Sequence, residues 1–118
     1  MFAFFITACI VNAATQPDLY RKVFRHDETY LDFNSSNKGV YSYSEGGKVI
    51  TRNYAWNLKF LYKRDNHSDG PVYEWQLTVN ISMSYGTKKL VFYIKSYENG
   101  SIRGDRVLCS DGKEWKIV

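Results

Sequence analysis

From Val72 to Met83 the chain alternates without a break. Tyr73, Trp75, Leu77, Val79, Ile81 and Met83 fall on one side, and Glu74, Gln76, Thr78, Asn80 and Ser82 on the other. Successive side chains of an extended backbone point to opposite faces, so this pattern makes a strand with one buried and one wet face. At helical spacing the same apolar residues would be spread around the whole cylinder.

A second segment of this kind precedes it. Tyr54, Trp56, Leu58, Phe60 and Tyr62 alternate with Ala55, Asn57, Lys59, Leu61 and Lys63. Between the two lies Arg64-Asp65-Asn66-His67-Ser68-Asp69-Gly70-Pro71, a polar loop rich in turn formers. After Ser84-Tyr85-Gly86-Thr87, the continuous apolar run Leu90 to Ile94 predicts a third strand buried on both faces. Three such strands in succession predict an antiparallel meander. Shorter candidates flank it: Thr29 to Phe33, Gly39 to Tyr43, Lys48 to Arg52, Ile102 to Leu108 and Glu114 to Val118. Gly46-Gly47, Asn99-Gly100 and Asp111-Gly112 supply hairpin signals between them. Aromatics at 17% with only two Pro also favour strands. The expected fold is all-β, an antiparallel β-sandwich, with a small β-barrel as the alternative.

The N-terminus speaks for the secretory route. Phe2 to Val11 is an apolar run too short to span a bilayer, and Val11-Asn12-Ala13 offers a small-residue cleavage site. No Lys or Arg precedes the run, and the alternative is a buried first strand. Residues 1–13 are therefore expected to be a signal-like segment and 14–118 a single β domain, with no stable membrane span. Asn34, Asn66, Asn80 and Asn99 each begin an Asn-X-Ser sequon. These are half of the eight Asn, where chance would give about one sequon, so glycosylation at these four is expected. The route then leads to the endoplasmic reticulum lumen or the cell exterior. Loss of Cys9 with the signal would leave Cys109 alone; without cleavage, a Cys9–Cys109 bond stays open. The net charge of +4 comes from scattered cations, not a basic stripe, which argues against nucleic acid as a partner.

Motifs of catalysis are scarce. His26-Asp27-Glu28 resembles a metal or acid–base cluster, yet adjacent strand residues diverge, and His67 is the only other His. No metal or other cofactor is expected. Asp65, Asp69 and Glu74 raise the question of a glycosidase pair, which needs two carboxylates at a fixed gap across a cleft. Two of them sit in a turn-rich loop and read as loop solvation. Trp56 and Trp75 belong to apolar strand faces and are expected in the core. Trp115, among Lys113, Glu114 and Lys116, is the candidate for an exposed contact.

Trp56 to Arg64, the Gly-containing loop, Tyr73-Glu74-Trp75-Gln76-Leu77-Thr78-Val79, Leu90 to Ile94 and Glu98-Asn99-Gly100 together resemble one family. It is processing α-glucosidase I, the mannosyl-oligosaccharide glucosidase of glycoside hydrolase family 63, in its N-terminal domain. His26-Asp27 is similar to a His-Asp-Gly motif of that family, with Glu28 in place of the Gly. The resemblance covers roughly residues 24 to 100 and implies a large β-sandwich packed on a helical barrel that carries the catalytic acids. It implies N-glycan processing in the endoplasmic reticulum, and a C-terminal helical domain or a glycan as partner. Without that helical barrel the chain is expected to be inactive alone. The second expectation is a secreted ligand- or partner-binding β domain with no enzymatic role.

Overall fold

The alternating segments become antiparallel strands in the computed structural model, which describes residues 15–65 and 68–118. The signal-like segment, Cys9, and Asn66 with His67 lie outside the described residues. Eight strands are described: β1 (Val23–His26), β2 (Thr29–Phe33), β3 (Lys38–Glu45), β4 (Lys48–Arg64), β5 (Val72–Met83), β6 (Gly86–Ser96), β7 (Arg106–Cys109) and β8 (Glu114–Ile117). Each pairs with the next, and β8 returns to β1 through Phe24 opposite Ile117 and Arg25 opposite Lys116.

The all-β expectation holds, and the sandwich gives way to a closed barrel. Among the described residues every connection joins sheet neighbours, and no strand crosses to a second layer. Closure also pairs the outer edges of β1 and β8, which an open sheet would leave as unpaired N–H and C=O groups.

The meander β4–β5–β6 forms as predicted, with Leu58 opposite Leu77 and Leu77 opposite Phe92. Lys48 to Arg52 is not a separate strand, because it runs on without a break into the 17-residue β4. Ile102 makes only an isolated bridge to Ser96, and β7 begins at Arg106. The third strand is buried on one face only: Leu90, Phe92 and Ile94 are inside, Val91 is half-buried and Tyr93 is exposed. A closed barrel has no second layer to cover an outer face.

Side chains fill the interior. Phe24 meets Phe33 at 4.7 Å and Phe92 at 5.4 Å between ring centroids, and Phe92 meets Trp115 edge-on at 5.4 Å. This aromatic chain links β1, β2, β6 and β8 across the lumen. Such tilted and edge contacts add about 0.5–1.5 kcal/mol each beyond the area they bury.

The two ends differ. At one, the strands are joined by tight turns at Asp27-Glu28, Gly46-Gly47, Ser84-Tyr85 and Ser110–Lys113. At the other, longer loops join them, and residues 15–22 pass across. Asp18 donates its N–H to Gly100 O at 3.0 Å, Arg21 to Phe33 O at 2.7 Å, and Phe33 to Lys22 O at 3.0 Å. Leu19 is thereby buried and stops the loop end. At the turn end the β3–β4 hairpin projects. β2 pairs with β3 only as far as Ser42, and β5 pairs with β4 only from Tyr54. Gly46 and Gly47, at φ 58° and 79°, give the hairpin a tip that few other residues adopt.

Candidate functional site

Residues directly opposite in an antiparallel ladder share a face. Tyr41 on β3 is buried in the interior, and Arg52 on β4 stands opposite it. Ile81 on β5 is fully buried, and Lys88 on β6 stands opposite it. Arg52 and Lys88 are therefore turned inward at the turn end. A contact confirms the second placement: Lys88 Nζ donates to Tyr41 Oη at 3.3 Å. β4 and β5 separate these two strands in the sheet, so the bond crosses the lumen.

Tyr43, one residue pair further up the hairpin, lies against Tyr41 with ring centroids 5.3 Å apart. Tyr43 and Met83 are half-buried and pack on the core, and Ile50 stands opposite Tyr43. The site is thus a cluster of aromatic and aliphatic side chains at the turn end, with two cations turned toward the interior beside it.

Neither cation has a counter-charge: among the described residues, Arg52 and Lys88 take part in no salt bridge. Lys88 instead sits 5.5 Å from the centroid of the Tyr41 ring. Arg52 Nε is shut off from solvent with no hydrogen-bond partner, and so is Trp115 Nε1. Both are donors. An enclosed polar group left unpaired typically costs about 1–3 kcal/mol.

Trp115, expected as an exposed contact, is buried at 4% exposure. It stands opposite Val107 on the inner face, with its centroid 5.6 Å from that of His26. Its charged neighbours Glu114 and Lys116 face outward, because a strand alternates. Trp75 is in the core as expected, and its Nε1–H donates to the buried Ser96 Oγ at 2.9 Å. Trp56 is half-buried and donates to Lys38 O at 3.3 Å.

The carboxylates do not converge. Asp65 pairs with Lys63 at 3.3 Å, and Glu74 pairs with Arg64. Asp69 accepts from Arg103 Nε at 2.9 Å and from Tyr97 Oη at 2.8 Å. The Arg103 bond first, and then the Tyr97 bond, hold the Asp69 carboxyl down at about 2. His26 ends β1 and Asp27-Glu28 form the β1–β2 turn, with His26 Nδ1 3.2 Å from Glu114 O and Nε2 3.6 Å from Asp27. No group of three metal-ligating side chains is found among the described residues.

Of the sequons, Asn34 and Asn99 lie exposed in loops at the loop end, and Asn66 is outside the described residues. Asn80 is half-buried on the outer face of β5, beside Ala55 and Lys89. Among the described residues no helix is long and apolar enough to cross a membrane.

Arg52 and Lys88 carry the site, yet sequence reasoning passed over them. The signal was present: Arg52 is in phase with Tyr54 and Trp56, and Lys88 with Leu90, Phe92 and Ile94. A cation in step with an apolar face marks an inward charge. Comparison with family models, curated proteins and solved structures finds no match to this chain.

Proposed function

We propose that this chain is a noncatalytic binding domain of the secretory pathway, whose ligand enters the turn end and reaches Arg52 and Lys88. The observation that carries the reading is the inward placement of these two cations, with no salt bridge to either among the described residues. A charge turned into a barrel is costly unless something pairs with it. A barrel built for stability alone would place apolar residues there, as it does at Leu90, Phe92 and Ile94. Half-buried Tyr43, Ile50 and Met83 give the same end an apolar wall.

Binding is favoured over catalysis because Asp65, Asp69 and Glu74 are each tied to a separate cation. Hydrolysis of a glycoside needs two carboxyl groups facing one bond. The glucosidase-like reading, with its helical partner domain, rests on resemblance, and a closed barrel lends no support to the large sandwich it implies. The signal-like N-terminus and the four sequons support the secretory route.

The test uses N-phenyl-1-naphthylamine, a neutral probe that fluoresces in apolar surroundings. Saturable uptake of one probe per chain is expected, and Met83→Trp, which crowds the turn end, should abolish it. No uptake, or uptake indifferent to Met83→Trp, would refute the reading.

A further inference from the structure

We infer that the ligand is an organic anion, with a carboxylate, sulfonate or phosphate head held between Arg52 and Lys88 and an apolar body against Tyr43 and Met83. This deepens the binding reading and rests on it.

An ammonium has no acceptor, so in the 3.3 Å contact Lys88 must donate and the Tyr41 oxygen must accept. The Tyr41 hydroxyl proton is therefore free to be donated elsewhere. Lys88 has further N–H groups, and Arg52 Nε–H is enclosed and unpaired. Tyr41, Lys88 and Arg52 Nε thus each keep an N–H or O–H with no acceptor beside it among the described residues. Glu45 shares the inward face of the hairpin, but it stands opposite Lys48 at the exposed tip and bridges to neither cation.

A ligand satisfies such a base by bringing acceptors without donors. Sugar hydroxyls can accept as well, but each adds a donor of its own and brings no negative charge. A carboxylate, sulfonate or phosphate is acceptor-only and adds the missing negative charge. The half-buried apolar side chains above the cations then require an apolar body, which inorganic anions lack.

Two probes of one scaffold separate the possibilities. 1-Anilinonaphthalene-8-sulfonate is N-phenyl-1-naphthylamine with a sulfonate added. The wild-type chain should bind the sulfonate at least about tenfold more tightly, the scale of one charge-assisted contact. Arg52→Gln and Lys88→Met should each remove most of that preference and leave the neutral probe unaffected. Lys88→Arg should retain it, and Lys89→Met, an outward neighbour, should not change it. Circular dichroism of each variant identifies any that fails to fold, and the comparison of the two probes on wild-type protein needs no variant. Equal affinity for the two probes would overturn the anion inference while the binding reading stands. Binding of neither would overturn both.

Discussion

Gly39 is where one added methyl group should do the most damage. It lies on the inner face of β3, opposite Tyr54 on β4. The Tyr54 ring crosses over β3 so that its hydroxyl donates to Asp32 O on β2 at 2.7 Å. Burial first, and the nearby Asp32 second, push the phenol far above its ordinary range, so it stays a neutral donor. A Cβ on Gly39 would fall inside contact distance of the Tyr54 ring and of Asp32 O. The carbonyl belongs to a paired strand and cannot yield, so the ring must leave. Overpacking of this kind costs about 1–3 kcal/mol. The enclosed carbonyl and hydroxyl then lose each other, which adds about 1–3 kcal/mol. Gly39→Ala should therefore destabilise by about 4 kcal/mol in urea denaturation followed by Trp fluorescence. Tyr54→Phe keeps the ring and loses only the bond, at about 1 kcal/mol. Gly46→Ala is the conformational control: its φ is 58° and nothing lies within 4 Å of the new methyl group. It should cost about 1–2 kcal/mol. A Gly39→Ala protein no less stable than Gly46→Ala would refute the steric reasoning.

Three further outcomes follow from the interior and the loop end. Trp75→Ala should cost about 3–5 kcal/mol, and Trp75→Phe less, because it loses mainly the bond to Ser96; an unchanged melting temperature for Trp75→Ala would place that ring outside the core. Cys109 is buried, and burial pushes its thiol upward, so peptide mapping after brief native iodoacetamide treatment should find it unlabelled; rapid labelling would contradict the inward placement of β7. The Asp69 carboxyl is lowered from 3.8 to about 2, so its tie to Arg103 and Tyr97 is fully present above about 4 and lost as pH falls through about 2. Hydrogen exchange in residues 97–105 should rise over that window, and Asp69→Asn should remove the pH dependence; a variant that keeps it would assign the change to another group.

Long strands were legible and closure was not. β5 spans 12 residues, enough alternations for period two to stand out against any other spacing. β1, β7 and β8 have four residues each, and four residues show two alternations at most. β1 therefore has no counterpart among the expected strands, and β8, expected as a strand from Glu114 to Val118, carries its Trp115 inside where an exposed contact is expected. Those same short strands supply the seam that turns a sheet into a barrel. Sandwich and barrel share the alternation and the turns, and differ in which distant strands pair, which no local pattern encodes. The inward cations were hidden for a related reason. A Lys or Arg is read as solvent-facing by default, and its phase relative to neighbouring apolar residues carries the contrary information.

If the turn end binds an anion as proposed, the two ends of the barrel divide stability from binding, and the division gives opposite responses to one change. Leu19 and the paired backbone of residues 15–22 close the loop end with apolar contact and satisfied hydrogen bonds. At the turn end Arg52 Nε stays enclosed and unpaired on a half-buried side chain, a loss of about 1–3 kcal/mol in a fold whose whole stability is of order 5–15 kcal/mol. Arg52→Met keeps a long side chain opposite Tyr41 and removes the unpaired charge. If Arg52 served packing alone, the substitution should lower stability, since it removes contacts and adds nothing. If Arg52 waits for an anion, the empty barrel should gain about 1 kcal/mol or more, while the stabilisation that bound anilinonaphthalene sulfonate gives the wild type should disappear. Thermal melts with and without the probe measure both quantities in one experiment. A variant that melts lower when empty, yet is still stabilised by the sulfonate, would make Arg52 a structural residue and move the site elsewhere.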